Sequence, residues 1–106
     1  MHPIPINVKQ CFAVIFSYEL STNLDGYSDM DSRTLEVVKN IDGYLGYEKF
    51  GDGKKNTFIS YWKSMKSIDI WKKTPLHIKA KKKGPKWYKN YRVQIVEIHN
   101  DINHWS

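Results

Sequence analysis

The sequence predicts an α+β protein of the ferredoxin-like kind, a βαββαβ chain whose four strands form one antiparallel sheet with helices on one face. Three observations carry that expectation. Strand and helix patterns alternate in the order strand, helix, strand, strand, broken helix, strand over 106 residues, a length that fits one domain. The middle two strand patterns flank Gly51-Asp52-Gly53-Lys54-Lys55-Asn56, a run of turn residues, so they pair as a hairpin. The first strand is apolar on both faces, and two helices can cover only one face of a four-stranded sheet.

Each element has its own local cause. Residues 11–18 (CFAVIFSY) form a continuous β-branched and aromatic run, the mark of a strand buried on both sides. After a polar loop over 21–26, Tyr27, Met30, Thr34, Val37, Val38 and Ile41 recur at helical spacing, predicting a helix over about 27–40. Asp25, Asp29 and Asp31 suit its positive N-terminal end and Lys39 its other end. Residues 44–50 and 57–62 are aromatic-rich strands. Ser64 is placed to cap a helix carrying Met65, Ile68 and Trp71, and Thr74-Pro75 signals the start of another. Gly84-Pro85 is expected to interrupt that second helix, because proline lacks an N–H and restricts the residue before it. Residues 92–98 read as the last strand, leaving an N-terminal arm (1–10), a domain (11–98) and a C-terminal tail (99–106).

Composition narrows the function classes. With 41% hydrophobic and 26% charged residues the chain is an ordinary globular mixture, and 14% aromatic residues supply large side chains for a small core or an aromatic-lined pocket. A single cysteine, Cys11, closes no intrachain disulfide, and no Cys/His spacing suggests a structural zinc or other metal site. No signal-peptide pattern or run of membrane-spanning length occurs, so a cytoplasmic protein with no membrane partner is expected. The net charge of +6 is local: residues 61–92 carry eleven Lys/Arg against one acid, Asp69, leaving −4 for the remainder. The lysines of 79–86 fit either a solvated helix face or an anion-attracting surface; with only Arg33 and Arg92 as arginines, nucleic acid is not the expected partner.

Generic catalytic motifs are absent from the sequence. Cys11, opening a buried strand, reads as a small core residue. His77 is the candidate acid/base: it follows Trp71 by six residues in a region that also holds Trp87 and Tyr88, although a satisfied core histidine fits the same pattern. Trp62, Trp71, Trp87 and Tyr88 flank one sheet face and either line a small-molecule pocket or fill an aromatic core. The two-faced first strand points to a homodimer packed sheet to sheet.

The segment Ile59-Ser60-Tyr61-Trp62-Lys63-Ser64, followed by Ile68, Trp71-Lys72, His77, Ala80, Gly84, Trp87-Tyr88 and Tyr91, resembles the antibiotic biosynthesis monooxygenase family. Residues 12–16, Asp25-Gly26-Tyr27 with Met30, and Gly43-Tyr44-Leu45-Gly46 with Glu48 extend the resemblance over about 11–98. It implies a dimeric α+β barrel. It also implies, as the expected function, a cofactor-independent monooxygenase acting on a small aromatic compound, with His77 as base or hydrogen-bond partner. Trp71, Trp62, Trp87 and Phe16 would be walls and Ser60 or Tyr88 polar orienters. The alternative is a non-catalytic homodimer that binds a small ligand or haem. Of three positions used by haem-degrading relatives only Trp71 matches; Lys81 and Ser17 stand where they carry histidine and asparagine, so haem breakdown is not the expectation.

Overall fold

The computed structural model describes residues 11–101; the expected arm (1–10) and the tail beyond 101 lie outside the described residues. The elements are β1 (Cys11–Leu20), α1 (Tyr27–Val38), β2 (Tyr44–Gly51), β3 (Lys55–Trp62), α2 (Met65–Lys73), α3 (Pro75–Trp87) and β4 (Tyr88–Ile98). The strands form one antiparallel sheet in the order β2-β3-β1-β4, the ferredoxin-like arrangement expected from the sequence. No helix of the described residues is long and apolar enough to cross a membrane.

Register sorts the side chains into two faces, because residues directly opposite on neighbouring strands share a face. Phe12 opposes Trp62, Val14 opposes Ser60 and Phe16 opposes Phe58. Phe12, Val14, Ile41, Tyr44 and Trp71 pack around buried Val38, Trp62 and Ile68, so this even-numbered set of β1 is the helical face. Burying Trp62 and Ile68, each 1% exposed, contributes roughly 1.5–3 kcal/mol apiece. The odd-numbered set, from Cys11 to Glu19, faces the side that carries no helix, where Cys11 and Ala13 are nonetheless buried, at 2% and 3% exposed. That open face is apolar at one end, with Ala13, Ile15, Ile59 and Val96, and polar at the other, with Ser17, Glu19, Thr57 and Arg92. The sequence expectation of apolar side chains on both faces of β1 therefore holds for its first half.

Two local expectations need correction. The helix beginning at Pro75 is not interrupted at Gly84-Pro85; it continues for 13 residues to Trp87. Pro85 lies in its last turn, where only one hydrogen bond is forfeited, and Gly84 has no Cβ to clash with the proline ring. The break between α2 and α3 expected at Thr74-Pro75 is present, with Thr74 held extended (φ −67°, ψ 129°) by the proline after it. Thr74 gives α3 no side-chain cap, because its hydroxyl turns back to donate to the Ile70 carbonyl at 2.9 Å. The final strand starts at Tyr88 rather than Arg92, so Tyr88 and Tyr91 belong to the sheet. Ser64 does cap α2, its hydroxyl accepting from the Ser67 N–H at 3.2 Å. The first helix ends at Val38, two residues early, with Lys39 paired to Glu36 at 3.0 Å.

Candidate functional site

On the helical face the expected site residues fall into two groups. The first gathers at the N-terminal half of β1. Trp71, from α2, packs on the cluster of Val38, Trp62 and Ile68. His77 enters from the first turn of α3 and sets its ring perpendicular to Trp71, with centroids 4.8 Å apart and an 89° interplanar angle. The Thr74-Pro75 break produces this contact, because it lets α3 fold back over the end of α2. Burial first, and the neighbouring Lys81 and Lys72 charges second, hold the His77 pKa below its ordinary 6.5, favouring the neutral imidazole. Ser60, opposite Val14, accepts a hydrogen bond from the Trp62 indole N–H at 2.9 Å.

Farther along β1, Phe16 stacks on Tyr18 at 4.8 Å and meets Tyr88 edge-on at 5.2 Å, forming the core of the second group. Trp87 joins through Tyr27, 5.6 Å away, while its indole N–H donates to the Asp25 carbonyl at 2.9 Å, tying the β1–α1 loop to the end of α3. Sequence reasoning missed three members of this group, Tyr18, Tyr27 and Asp31. Tyr27 donates its hydroxyl to that of Tyr18 at 3.5 Å, and desolvation raises the pKa of both Tyr27 and Tyr88 well above the ordinary tyrosine value. Asp31, read from the sequence as compensating the α1 dipole, is half-buried on the same helix side, one turn after Tyr27, and desolvation raises its carboxyl pKa. The i, i+4 spacing of Tyr27 and Asp31 was the available signal.

Beside the second group the sheet edge stays open. Val93 opposes Phe16 and Ile95 opposes Val14 on the helical side, yet they are 51% and 37% exposed. An apolar strip therefore runs along β4 next to Phe16, Tyr88 and Tyr91, uncovered by the helices. The sequence marked these residues only as strand. Cys11 is 2% exposed, and burial, followed by the Asp101 charge, pushes its thiol pKa up, in keeping with a core residue. Among the described residues no group of three or more His, Cys, Asp or Glu is placed to hold a metal ion.

A separate concavity of about 560 Å³ lies at the polar end of the sheet's open face. Its lining includes Ser17, Thr57, Lys55, Asn90, Arg92 and Phe50, none of them among the residues expected from the sequence to form the site.

No protein-family model matches the chain. Among curated proteins it is 37% identical over 90 residues to the uncharacterized protein YqjZ of Bacillus subtilis, spanning 82% of this chain and 78% of that one. Among solved structures it matches SnoaB, a cofactor-independent oxygenase from Streptomyces nogalater, with a TM-score of 0.76 at 6% identity, covering 92% of this chain and all of the other. A second structure, of an antibiotic biosynthesis monooxygenase, matches with a TM-score of 0.69 at 15% identity over 87% of this chain and 99% of that one. The sequence match and the shared architecture agree: this chain belongs to the family of YqjZ and has the ferredoxin-like fold of the antibiotic biosynthesis monooxygenases.

Proposed function

We propose that this protein is a cofactor-independent monooxygenase that oxidises a small aromatic compound held between the helices and the sheet, working as a homodimer. The observation that carries the reading is the pairing of a half-buried His77, held toward its neutral form, with the perpendicular Trp71 ring. A neutral imidazole beside an aromatic wall is suited to take an acidic proton from a flat substrate. The open strip of Val93 and Ile95 beside Phe16 offers such a substrate apolar surface. Tyr88 stays protonated and can donate to its oxygens, Tyr27 being committed to the Tyr18 hydroxyl, while Trp62 and Trp87 stiffen the walls from behind.

The reaction balances without an outside reductant. A ring CH₂ flanked by phenolic rings gives one proton to His77, and the resulting carbanion passes an electron to O₂. The radical pair combines into a hydroperoxide. Loss of the second hydrogen and cleavage of the O–O bond leave a carbonyl on the ring and release water, so CH₂ and O₂ become C=O and H₂O. The protein contributes position, desolvation and the base. The homodimer reading rests on Ile15, Ile59 and Val96, apolar side chains on the sheet face that carries no helix.

The test is oxygen uptake with a hydroxylated anthrone. One O₂ consumed per carbonyl formed, with His77→Ala reducing the rate by about 10²-fold or more, as loss of a general base does, supports the assignment. Turnover unchanged in His77→Ala removes His77 from the mechanism. Saturable binding of the anthrone with no O₂ uptake turns the reading toward a ligand-binding homodimer.

A further inference from the structure

We propose that the N-terminal arm, residues 1–10, turns back along the helical side of β4 and covers the apolar strip of Tyr91, Val93 and Ile95. The proposal goes beyond the oxygenase reading, and its test uses no substrate.

The strip needs a cover. Tyr91, Val93 and Ile95 occupy every second position of β4, an edge strand, and oppose Tyr18, Phe16 and Val14 on the helical side. They are 56%, 51% and 37% exposed, so the described residues leave them largely in water. A second copy seated on the helix-free face would leave them equally bare. A contiguous apolar run on an exposed sheet edge invites unwanted pairing, and proteins cover or blunt such edges.

The arm, which lies outside the described residues, has the position, length and pattern to do so. It joins β1 at Cys11, and Cys11 stands opposite Ile98, so the arm starts level with the C-terminal end of β4. Tyr91, the far end of the strip, lies seven residues before Ile98, or about 23 Å at about 3.3 Å per extended residue. Ten residues reach about 33 Å on the same scale, which spans the strip and leaves about three residues for the reversal. Ile4, Ile6 and Val8 recur at every second position, as the strip's own residues do, so in an extended arm they share one face. Pro3, Pro5, Asn7 and Lys9 then turn to water, and the two prolines favour the extended backbone that this requires. Where a substrate meets the strip, the arm becomes its outer wall.

Thiol accessibility in the full-length chain tests this. Val93→Cys places a thiol under the arm, buried Cys11 reports an intact fold, and Lys82→Cys on the exposed surface of α3 is the control. The expected result is slow modification of Val93→Cys that accelerates about tenfold or more when residues 1–8 are deleted, since the reagent meets the thiol only in the open fraction. Ile4→Asp with Ile6→Asp in the full chain gives the same acceleration, Asn7→Asp gives none, and Lys82→Cys reacts alike in every chain. Ile95→Cys repeats the measurement should Val93→Cys disturb the fold. Equal rates with and without residues 1–8, or no acceleration by the two aspartates, overturn the proposal. Protection that disappears on dilution assigns the cover to a second copy and overturns it as well.

Discussion

Whether the Ser60 hydroxyl belongs to a ligand or to the core is decided by its bond to Trp62, which makes this pair the sharpest place to perturb the fold. Trp62 is 1% exposed and Ser60 8% exposed, and the indole N–H reaches the hydroxyl at 2.9 Å. Ser60→Ala leaves a buried N–H without a partner, at a cost of about 1–3 kcal/mol. Trp62→Phe removes the donor and part of the ring, losing about 0.5–1.5 kcal/mol of hydrogen bonding plus the packing of the missing atoms. In the double variant neither group is stranded, so the combined loss falls short of the sum by about 1 kcal/mol. With a urea m-value near 1 kcal/mol/M for a small domain, that coupling displaces the midpoint by about 1 M from the additive expectation. The assay is urea unfolding followed by tryptophan fluorescence, with all four proteins at one concentration because self-association would also shift midpoints. Losses that add to within about 0.3 kcal/mol would refute the coupling, and Ser60 would then be available to orient a ligand.

Other consequences follow from single features. A methyl group at Gly43 (φ +92°) would run into the Ser67 side chain, whereas one at Gly53 (φ +95°) meets nothing. Gly43→Ala should therefore cost clearly more than Gly53→Ala, whose penalty is the backbone term of about 1–2 kcal/mol; equal unfolding midpoints would contradict this. His77 has a folded-state pKa below 6.5, so above that pH both folded and unfolded chains hold it neutral. As pH falls from 6.5 toward the depressed folded value only the unfolded chain gains the proton, and stability drops. The urea midpoint should decline across that window, and His77→Gln should flatten the decline. Ile59→Lys places a charge on the apolar end of the open sheet face; light scattering should show the dimer of the parent chain replaced by monomer, and a parent chain that is already monomeric at micromolar concentration removes the self-pairing proposal.

The architecture was legible because its signals are local and redundant: the apolar run of β1, the turn residues between β2 and β3, the Ser64 cap and the Thr74-Pro75 start each act through neighbouring residues. The Gly84-Pro85 break failed because a proline's cost depends on its distance from the helix end, and that end was itself misplaced. Among site residues, Trp71 and His77 were readable as a pair, since a helix break between them brings two positions six apart into contact. Phe16 and Tyr88 could be named, but their union with Tyr18, Tyr27 and Asp31 depends on how α1 crosses the sheet, which periodicity does not encode. The recess lined by Thr57, Ser17 and Arg92 was invisible for a related reason: three ordinary polar residues become neighbours only once the pairing register is fixed, and a shift by one residue would send Ser17 to the other face.

On the proposed reading, the two helical-face groups divide the chemistry between them. His77 is held toward its neutral form by burial, and it sits with the first group. The second group holds tyrosine hydroxyls pushed upward by desolvation, which remain donors near neutral pH. A phenolic substrate needs both roles, a base at the acidic carbon and donors at the oxygens whose charge grows as the proton leaves. Val14 and Phe16 are consecutive helical-face positions of β1, about 7 Å apart, and Val14 packs with the first group while Phe16 packs with the second. A single benzene ring is too short to lie across that step with substituents reaching both groups; fused rings are long enough. Fused aromatics should therefore be turned over, and their one-ring analogues should bind without reacting. Comparable turnover of both would show that base and donors do not act on the same molecule.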